Sequence, residues 1–156
     1  MTTIRKATLS DLIPLSELFD LYRQFYGKTS DIEAGKEFLK ERIKNDESEI
    51  FIALENSKMV GFVQLYPLFS STRMKRIWLL NDLFVHPESR GKGFSVLLID
   101  TAKQLCIETN ACQLTLETSK LNTIGNKLYP KSGFEIDLEN NYYAWINNDK
   151  KHNSLI

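Results

Sequence analysis

The feature that most constrains this chain is an apolar run that leads through a glycine-rich turn straight into a helix. Residues 77–85 read as a buried strand, residues 86–93 hold two glycines among charged residues, and a helical pattern begins near Ser95. A strand that feeds such a turn leaves several backbone N–H groups unpaired at the positive end of the helix dipole. The sequence therefore predicts a site for a phosphate or pyrophosphate group at this turn.

This turn differs from the two phosphate loops that are best known from sequences. It lacks the Gly-Lys-Ser/Thr ending of a nucleoside-triphosphatase loop, and it lacks the third glycine of a dinucleotide-binding fingerprint. Gly91 and Gly93 allow the backbone to approach a ligand without an intervening Cβ, while Arg90 and Lys92 add positive charge. The pattern indicates that the chain holds a phosphorylated small molecule here.

The turn resembles the acetyl-CoA loop of the GCN5-related N-acetyltransferase (GNAT) superfamily. That loop reads Arg or Gln, two residues, Gly, one residue, and then Gly or Ala. Arg90, Gly93 and Ser95 occupy the three marked positions, with a small serine in place of the usual last residue.

A second set of positions extends the resemblance. In the family, an Asn is followed by a Tyr seven residues later and then by a Gly–aromatic pair, as Asn122, Tyr129, Gly133 and Phe134 are here. The order of the strands, the turn and the helices over residues 77–146 also matches the family. The chain therefore resembles an acetyltransferase of this superfamily over nearly its full length. The Asp82-to-Val85 stretch and the Asn122–Tyr129 spacing are most similar to the diamine and polyamine (spermidine/spermine-type) branch.

The resemblance implies a set of coenzyme-binding positions. The strand end offers backbone groups to the pantetheine arm as an extra strand would, and one N–H polarises the acetyl carbonyl. The turn binds the pyrophosphate, and Asn122 hydrogen-bonds the coenzyme, which is compatible with capping the following helix. The implied positions are Leu83, Phe84, Val85, Arg90, Gly91, Lys92, Gly93, Phe94, Ser95, Val96 and Asn122.

Tyr129 is the candidate general acid by the same resemblance. Moving an acetyl group from a thioester to an amine requires a neutral amine, a stabilised oxyanion and a proton for the departing thiolate. A phenol with a pKa of about 10 protonates a thiolate with a pKa of about 8.5 at a cost of about 2 kcal/mol, which is small for an enzyme. The alternative is that Tyr129 packs against Pro130 and Phe134.

The residues offer several candidates for the acceptor site and the general base. The polyamine branch has a glutamate at the position of Asn81, and an amide cannot accept a proton. Asp82 matches an acidic residue of the family, but adjacent strand residues point to opposite faces, so a structural role is equally open. Glu117 is a candidate for amine binding or a water-mediated relay, or it is a solvated strand end. Tyr22 and Tyr26 are either an aromatic wall that attracts a cation or core residues.

Composition limits what else the chain can do. Its 156 residues contain 20 Lys and Arg and 20 Asp and Glu, so no basic excess exists to bind nucleic acid. No run approaches the ~20 apolar residues that cross a bilayer, and no signal peptide opens the sequence. Cys106 and Cys112 read as reduced packing residues, and with two histidines they make no convincing metal site. We expect a cytoplasmic protein without a bound metal.

Strand and helix signals alternate along the chain, with hairpins between some of them. They predict a single-domain α/β (α+β) fold over residues 1–146, with a mixed, mostly antiparallel sheet flanked by helices, and a frayed tail at 147–156. Thr8 and Asp11 form a capping box for the first helix, and Ser30 and Glu33 start the second. The remaining predicted elements are strands at 2–6, 50–55, 59–68, 77–85, 113–117, 134–136 and 142–146, and helices from 95 and at 123–131.

Together, these features predict an N-acetyltransferase that moves an acetyl group from acetyl-CoA to a primary amine by direct attack. The expected acceptor is a diamine, a polyamine or a lysine-like amino acid, and a peptide or protein amine comes next. The residues also leave open a CoA-binding sensor without turnover and a nucleotide-binding protein whose turn binds ATP as well as CoA. The resemblance also implies a homodimer.

Overall fold

A five-stranded sheet with helices packed on it forms the larger part of the molecule. The computed structural model describes residues 1–147. These residues fall into two units, Met1–Ser119 and a second that begins at Lys120. The first unit holds the sheet and three α-helices, and the described part of the second holds one helix. The predicted α/β fold with a mixed sheet flanked by helices is confirmed.

The five strands are β1 (Thr2–Lys6), β2 (Glu49–Glu55), β3 (Lys58–Ser70), β4 (Lys75–Val85) and β5 (Gln113–Thr115). Their order in the sheet follows the chain, from β1 to β5. Neighbours among β1 to β4 pair antiparallel, whereas β5 runs parallel to β4. Asn56 and Ser57, both with positive φ, close the predicted β2–β3 hairpin. The sheet is therefore mostly antiparallel, as predicted.

The α-helices of the described chain are α1 (Leu12–Phe25), α2 (Ile32–Lys44), α3 (Phe94–Glu108) and α4 (Thr123–Lys131). A short 3₁₀ turn precedes α1, and there the Thr8 N–H donates to Asp11 Oδ2 at 2.8 Å, as the predicted capping box requires. Within residues 1–147, no helix has both the length and the apolar character that crossing a membrane requires.

The α1–α2 pair and α3 cover opposite faces of the sheet. Phe62 of β3 is buried in a cluster with Leu15 of α1 and Leu39 of α2. The preceding residue, Gly61, lies against Leu98 of α3, because successive strand residues point to opposite sides. Each buried Leu or Phe side chain contributes about 1.5–3 kcal/mol relative to an exposed one. Packing on both faces therefore fixes β3, which pairs with β4, the strand that leads into the glycine-rich turn.

The start of α2 differs from the prediction by one residue. Asp31, rather than Ser30, is the N-cap, and its side chain accepts from the Ala34 N–H. The Ser30 hydroxyl donates instead to the buried Asp20 carboxylate of α1, at 2.7 Å. The Asp31 N–H donates to the same carboxylate at 2.8 Å. Asp20 thus binds the α1–α2 connection to α1. The Ser30 hydroxyl serves this contact and does not cap α2.

The strands predicted near the C-terminal end are shorter than expected or missing from the described residues. β5 stops at Thr115, two residues before the predicted end at Glu117. Residues 134–136 and 142–146 form no strand, because within residues 1–147 no neighbouring strand supplies backbone partners to them. Apart from the half-buried Phe134, their large apolar side chains are exposed instead. The predicted frayed tail lies, from residue 148 onward, outside the described residues.

Candidate active site

One edge of β4 is uncovered where the strand approaches the glycine-rich turn. β4 pairs with β3 up to Val85, whereas β5 pairs with β4 only at Ile77–Leu79. From Leu80 onward, the described strands therefore leave the second edge of β4 without a partner. Its backbone N–H and C=O groups can pair with an extended ligand that binds as an added strand. The predicted pantetheine-binding residues on this segment are Leu83, Phe84 and Val85.

The turn after β4 presents backbone donors at the start of α3. Gly91 and Gly93 have φ angles of 76° and 85°, a left-handed conformation that glycine adopts without strain. The Leu97 N–H donates to the Gly93 carbonyl at 3.1 Å, so the N–H groups of the preceding helical residues lie outside the ladder of α3. Among the described residues, only chain neighbours lie within 4 Å of the place where either glycine would carry a Cβ. The open approach and the free donors suit a pyrophosphate.

The two basic side chains of the turn are engaged by the protein itself. Arg90 Nε donates to the last carbonyl of β4 at 3.1 Å. The Arg90 guanidinium also lies over the rings of Phe84 and Phe25, at 5.6 and 5.9 Å from their centroids. Lys92 binds both carboxylate oxygens of Glu55 at 2.9 Å. Arg90 therefore braces the turn against β4 and α1, and the backbone supplies the donors for an anion.

The first residues of α3 divide between the core and the surface. Phe94 is buried, so its side chain anchors the helix and only its backbone is open to a ligand. Ser95 is half-buried and Val96 is exposed. We therefore expect these three positions to contact the coenzyme through their backbone N–H groups.

A close-packed group runs along α4 from its N-cap and consists of Asn122, Gly125 and Tyr129. Asn122 Oδ1 accepts from the Gly125 N–H at 3.0 Å and caps the helix. A Cβ on Gly125 would lie 2.6 Å from Asn122 Nδ2 and 3.1 Å from the Tyr129 ring. The Tyr129 ring packs edge-on against Phe134, with 5.8 Å between the centroids. The predicted helix cap at Asn122 and the predicted ring packing of Tyr129 are thus both present.

A β-bulge places Asp82 beside a buried glutamine. Gln64 of β3 pairs with Asp82 and Leu65 pairs with Leu80, so Asn81 is an extra residue on β4. Asp82 is only 4 % exposed. Its Oδ2 accepts from Gln64 Nε2 at 2.7 Å, and its Oδ1 accepts from Asn81 Nδ2 at 3.0 Å. The bulge breaks the simple alternation of the strand, so Asp82 faces inward.

In the part of the chain that the structure describes, the buried Asp82 carboxylate has neutral donors around it and no cation. The Tyr22 hydroxyl of α1 is a third donor. Burial raises the pKa of Asp82, and the hydrogen bonds from Gln64, Tyr22 and Asn81 offset part of that rise. Within residues 1–147, no Lys, Arg or His nitrogen lies within 4.0 Å of this carboxylate. A buried carboxylate without a cation suits a positively charged ligand.

Tyr22 and Tyr26 extend this region with aromatic surface. The Tyr22 hydroxyl lies 3.4 Å from the Asn81 carbonyl oxygen, and the Tyr22 ring packs against the aromatic core at Phe62. The Tyr26 ring stands edge-on to Tyr22, with 5.1 Å between centroids, and is 47 % exposed. Tyr22 is thus partly a core residue, whereas Tyr26 is about half-exposed to solvent.

The last two predicted acceptor residues are both exposed. Asn81 lies on the bulge, and its amide donates to Asp82, so it belongs to the same group of contacts. Glu117 lies beyond the end of β5, as expected of a solvated strand end.

Three residues that contribute to these contacts were missed by the sequence reasoning. Gln64 is a single polar residue in the otherwise apolar run of β3, and that position was a usable signal. Gly125 lies three residues after Asn122 within a helical pattern, where a glycine needs a packing reason. Ser48 gave no signal, because its link to Gln64 depends on the pairing of β2 with β3.

Comparison with known proteins decides the family. The sequence model of the acetyltransferase (GNAT) family matches residues 15–134. The chain belongs to the GNAT acetyltransferase family. An uncharacterised N-acetyltransferase of Bacillus subtilis (strain 168), YhfO, is 46% identical to this GNAT chain over 134 residues, which cover 86% of the chain and 90% of the relative. A probable acetyltransferase of Haemophilus influenzae is 37% identical over 140 residues, which cover 85% of the chain and 96% of the relative.

A solved structure supports the same assignment. The crystal structure of a probable acetyltransferase matches this GNAT chain with a TM-score of 0.89 and 40% sequence identity, over 94% of the chain and 99% of that structure. The protein is therefore an N-acetyltransferase. GNAT enzymes generally use acetyl-CoA as the acetyl donor.

Proposed function

We propose that this enzyme transfers the acetyl group of acetyl-CoA directly to the primary amine of a small molecule, namely a diamine, a polyamine or a lysine-like amino acid. One observation carries the proposal. The buried Asp82 carboxylate, whose donors among residues 1–147 are all neutral, lies on the strand whose uncovered edge leads to the glycine-rich turn. An acceptor bound there as an ammonium ion would supply the missing charge.

The coenzyme part of the proposal is supported by β4 and the turn that follows it. The uncovered edge at Leu83–Val85 suits the amide groups of a pantetheine arm, which would pair as an added strand. The open glycines and the first N–H groups of α3 suit the pyrophosphate. Asn122 is assigned to the coenzyme by the family resemblance.

The acceptor part is supported by Asp82, Tyr22 and Tyr26, with Asn81 at the rim. Amines of the lysine type have a pKa of about 10.4, so they arrive charged and must lose a proton before they attack. A carboxylate whose pKa is raised by burial accepts that proton more readily than an ordinary aspartate does. The exposed Tyr26 ring adds a face that attracts cations.

Tyr129 is assigned as the general acid that protonates the departing thiolate. The assignment rests on the spacing from Asn122 and on the held position of the Tyr129 ring, which packs between Gly125 and Phe134. General acid catalysis contributes typically ~10²–10⁴-fold to a rate.

We further propose that the enzyme works in the cytoplasm as a homodimer. Cys106 and Cys112 are free thiols, as is usual in a reducing compartment. Apolar side chains between residues 136 and 146 are exposed, and a second copy of the chain would cover them.

The test is acetyl-CoA turnover, measured as thiol release, with a panel of diamines, polyamines, lysine analogues and peptides. We expect release with one class of small amine. The Tyr129→Phe variant should lower kcat by about 100-fold or more while the KM for acetyl-CoA stays near its original value. Tyr142→Phe, a change at an exposed tyrosine, is the control and should leave kcat unchanged.

Three results would contradict parts of the proposal. Unchanged kcat in Tyr129→Phe would remove the acid role. Acetylation of peptides alone would move the acceptor to a peptide or protein amine. Release with no amine in the panel would contradict the acceptor class as a whole.

A further inference from the structure

Two buried polar residues, Ser48 and Gln64, lie behind the Asp82 carboxylate. Gln64 is 0 % exposed in the middle of an apolar strand, and Ser48, just before β2, is buried as well. The Ser48 hydroxyl donates to Gln64 Oε1 at 2.9 Å, and Gln64 Nε2 donates to Asp82 Oδ2 at 2.7 Å. The three side chains thus form a chain of hydrogen bonds that starts just before β2, passes through β3 and ends on the carboxylate of β4.

The direction of this line follows from the chemistry of its end. An ionised carboxylate only accepts hydrogen bonds, so Gln64 must turn its NH₂ group toward Asp82. Its carbonyl oxygen then points at Ser48, whose hydroxyl satisfies it. A hydrogen bond to the carbonyl of an amide polarises that amide and strengthens the donation from its NH₂ group. Ser48 therefore affects Asp82 through Gln64, although Ser48 itself does not hydrogen-bond to Asp82.

The bulge on β4 explains why such support is needed. Asn81 interrupts the ladder, so the backbone alone does not hold Asp82 in a regular strand geometry. Gln64 is the residue that pairs with Asp82 across the ladder, directly beside the interruption. Its short hydrogen bond fixes one carboxylate oxygen, and the Asn81 amide holds the second oxygen at 3.0 Å.

We propose that Gln64 is a positioning residue for Asp82 and that Ser48 acts on Asp82 only through Gln64. The pair holds the carboxylate in its charged form, with its orientation fixed toward Tyr22, where an acceptor ammonium binds. The use of Asp82 for the acceptor rests on the proposed function, whereas the coupling of the three side chains does not.

Further titratable groups face this region. Tyr22 of α1 donates to the carboxylate. Tyr66 of β3 has its pKa raised to about 12, first by burial and then by the charge of Asp82. Arg42 of α2 and Glu47 act on Tyr66, and they pair with each other at 2.6 Å. With a pKa of about 12, Tyr66 is neutral near neutral pH, so it adds no charge beside Asp82.

The experiment measures the pKa of Asp82 directly, by NMR of ¹³C-labelled aspartate carboxyl carbons as the pH is varied. The Asp82 signal is identified by its loss in Asp82→Asn. The variants are Ser48→Ala, Gln64→Leu and the double variant. Ser16→Ala is the matched control, because Ser16 is also a buried serine and its hydroxyl donates to the Ile13 carbonyl within α1. Circular dichroism checks that each variant is folded.

We expect the pKa of Asp82 to rise in both single variants, since each weakens a hydrogen bond to the charged form. Gln64→Leu removes the donor and should raise it by about one unit or more. Ser48→Ala should raise it by a smaller amount, and adding this change to Gln64→Leu should have no further effect. Ser16→Ala should leave the pKa unchanged. The acidic limb of kcat/KM should move upward by the same amounts.

An unchanged pKa in Gln64→Leu would overturn the proposal, and so would equal and additive shifts in the two single variants. Shifted NMR titrations in a protein that acetylates no amine would leave the coupling supported and would instead refute the proposed function. In an active enzyme, the acidic limb of kcat/KM could stay fixed while the NMR pKa of Asp82 shifts. That result would overturn the link between Asp82 and the acceptor.

Discussion

At the scale of single residues, Gly93 combines two properties that only glycine supplies at the start of α3. Its φ of 85° is a conformation that a β-branched side chain does not tolerate, and the space above it is open toward the expected pyrophosphate. We expect Gly93→Val to weaken acetyl-CoA binding by more than about 30-fold in calorimetry, which corresponds to about 2 kcal/mol.

Gly27 provides a matched control for this variant. It ends α1 with a φ of 76°, is equally open, and lies outside the turn. Gly27→Val therefore imposes similar backbone strain and should leave acetyl-CoA affinity within about twofold of the original. Equal losses of affinity in the two variants would mean that strain, and not blocked approach of the phosphate, causes the effect.

The residues of the site differ in how far the sequence reveals them. Arg90 and Gly93 are visible because their roles depend on a short local pattern. Arg90 nevertheless braces the turn against aromatic rings instead of standing free for a phosphate, and only the folded structure shows this. Gln64 and Ser48 reach Asp82 through a bulged ladder between distant strands, and no local pattern encodes that register.

At the scale of one element, the absence of a side chain at Gly125 lets Asn122 and Tyr129 pack closely on α4. Gly125→Ala should gain about 1 kcal/mol in helix propensity and lose about the same through displacement of the Asn122 cap, since the new Cβ would lie 2.6 Å from that side chain. We therefore expect thermal stability to change little. The kcat should fall by about tenfold or more, because the Tyr129 ring is displaced as well.

Ile124→Ala is the control for this change. Ile124 is exposed on the same turn of α4 and takes no part in the cap, so the kcat should stay near that of the original enzyme. A kcat that is unchanged in Gly125→Ala would show that the approach of Asn122 to Tyr129 is not used in catalysis.

At the scale of the whole molecule, the alternation of strands and helices was sufficient to predict a mixed sheet flanked by helices. The prediction was wrong at 134–136 and 142–146, where residues with strand propensity form no strand in the described chain. Strand propensity expresses how well a side chain fits a paired, half-buried surface, so it predicts a strand only where a partner exists. The sequence of one chain does not show whether a second copy supplies the strand with which these residues would pair.

That second copy is the last expectation to test. Ile136, Leu138, Tyr142, Tyr143, Trp145 and Ile146 are each 72–86 % exposed, a concentration of apolar surface that monomers rarely carry without a use. We expect the enzyme to sediment as a dimer, at twice the 18.1 kDa of one chain. Trp145→Asp should shift it toward the monomer, because a carboxylate buried at an interface without a cation is unfavourable.

Phe69→Asp is the matched control, since Phe69 is an exposed aromatic residue on the β3–β4 hairpin, away from the C-terminal segment in the sequence. It should leave the dimer intact. A wild-type chain that sediments as a monomer at tens of micromolar would refute the dimer. A dimer that survives Trp145→Asp and dissociates in Phe69→Asp would place the interface on the hairpin, and the apolar residues between 136 and 146 would then need a different partner.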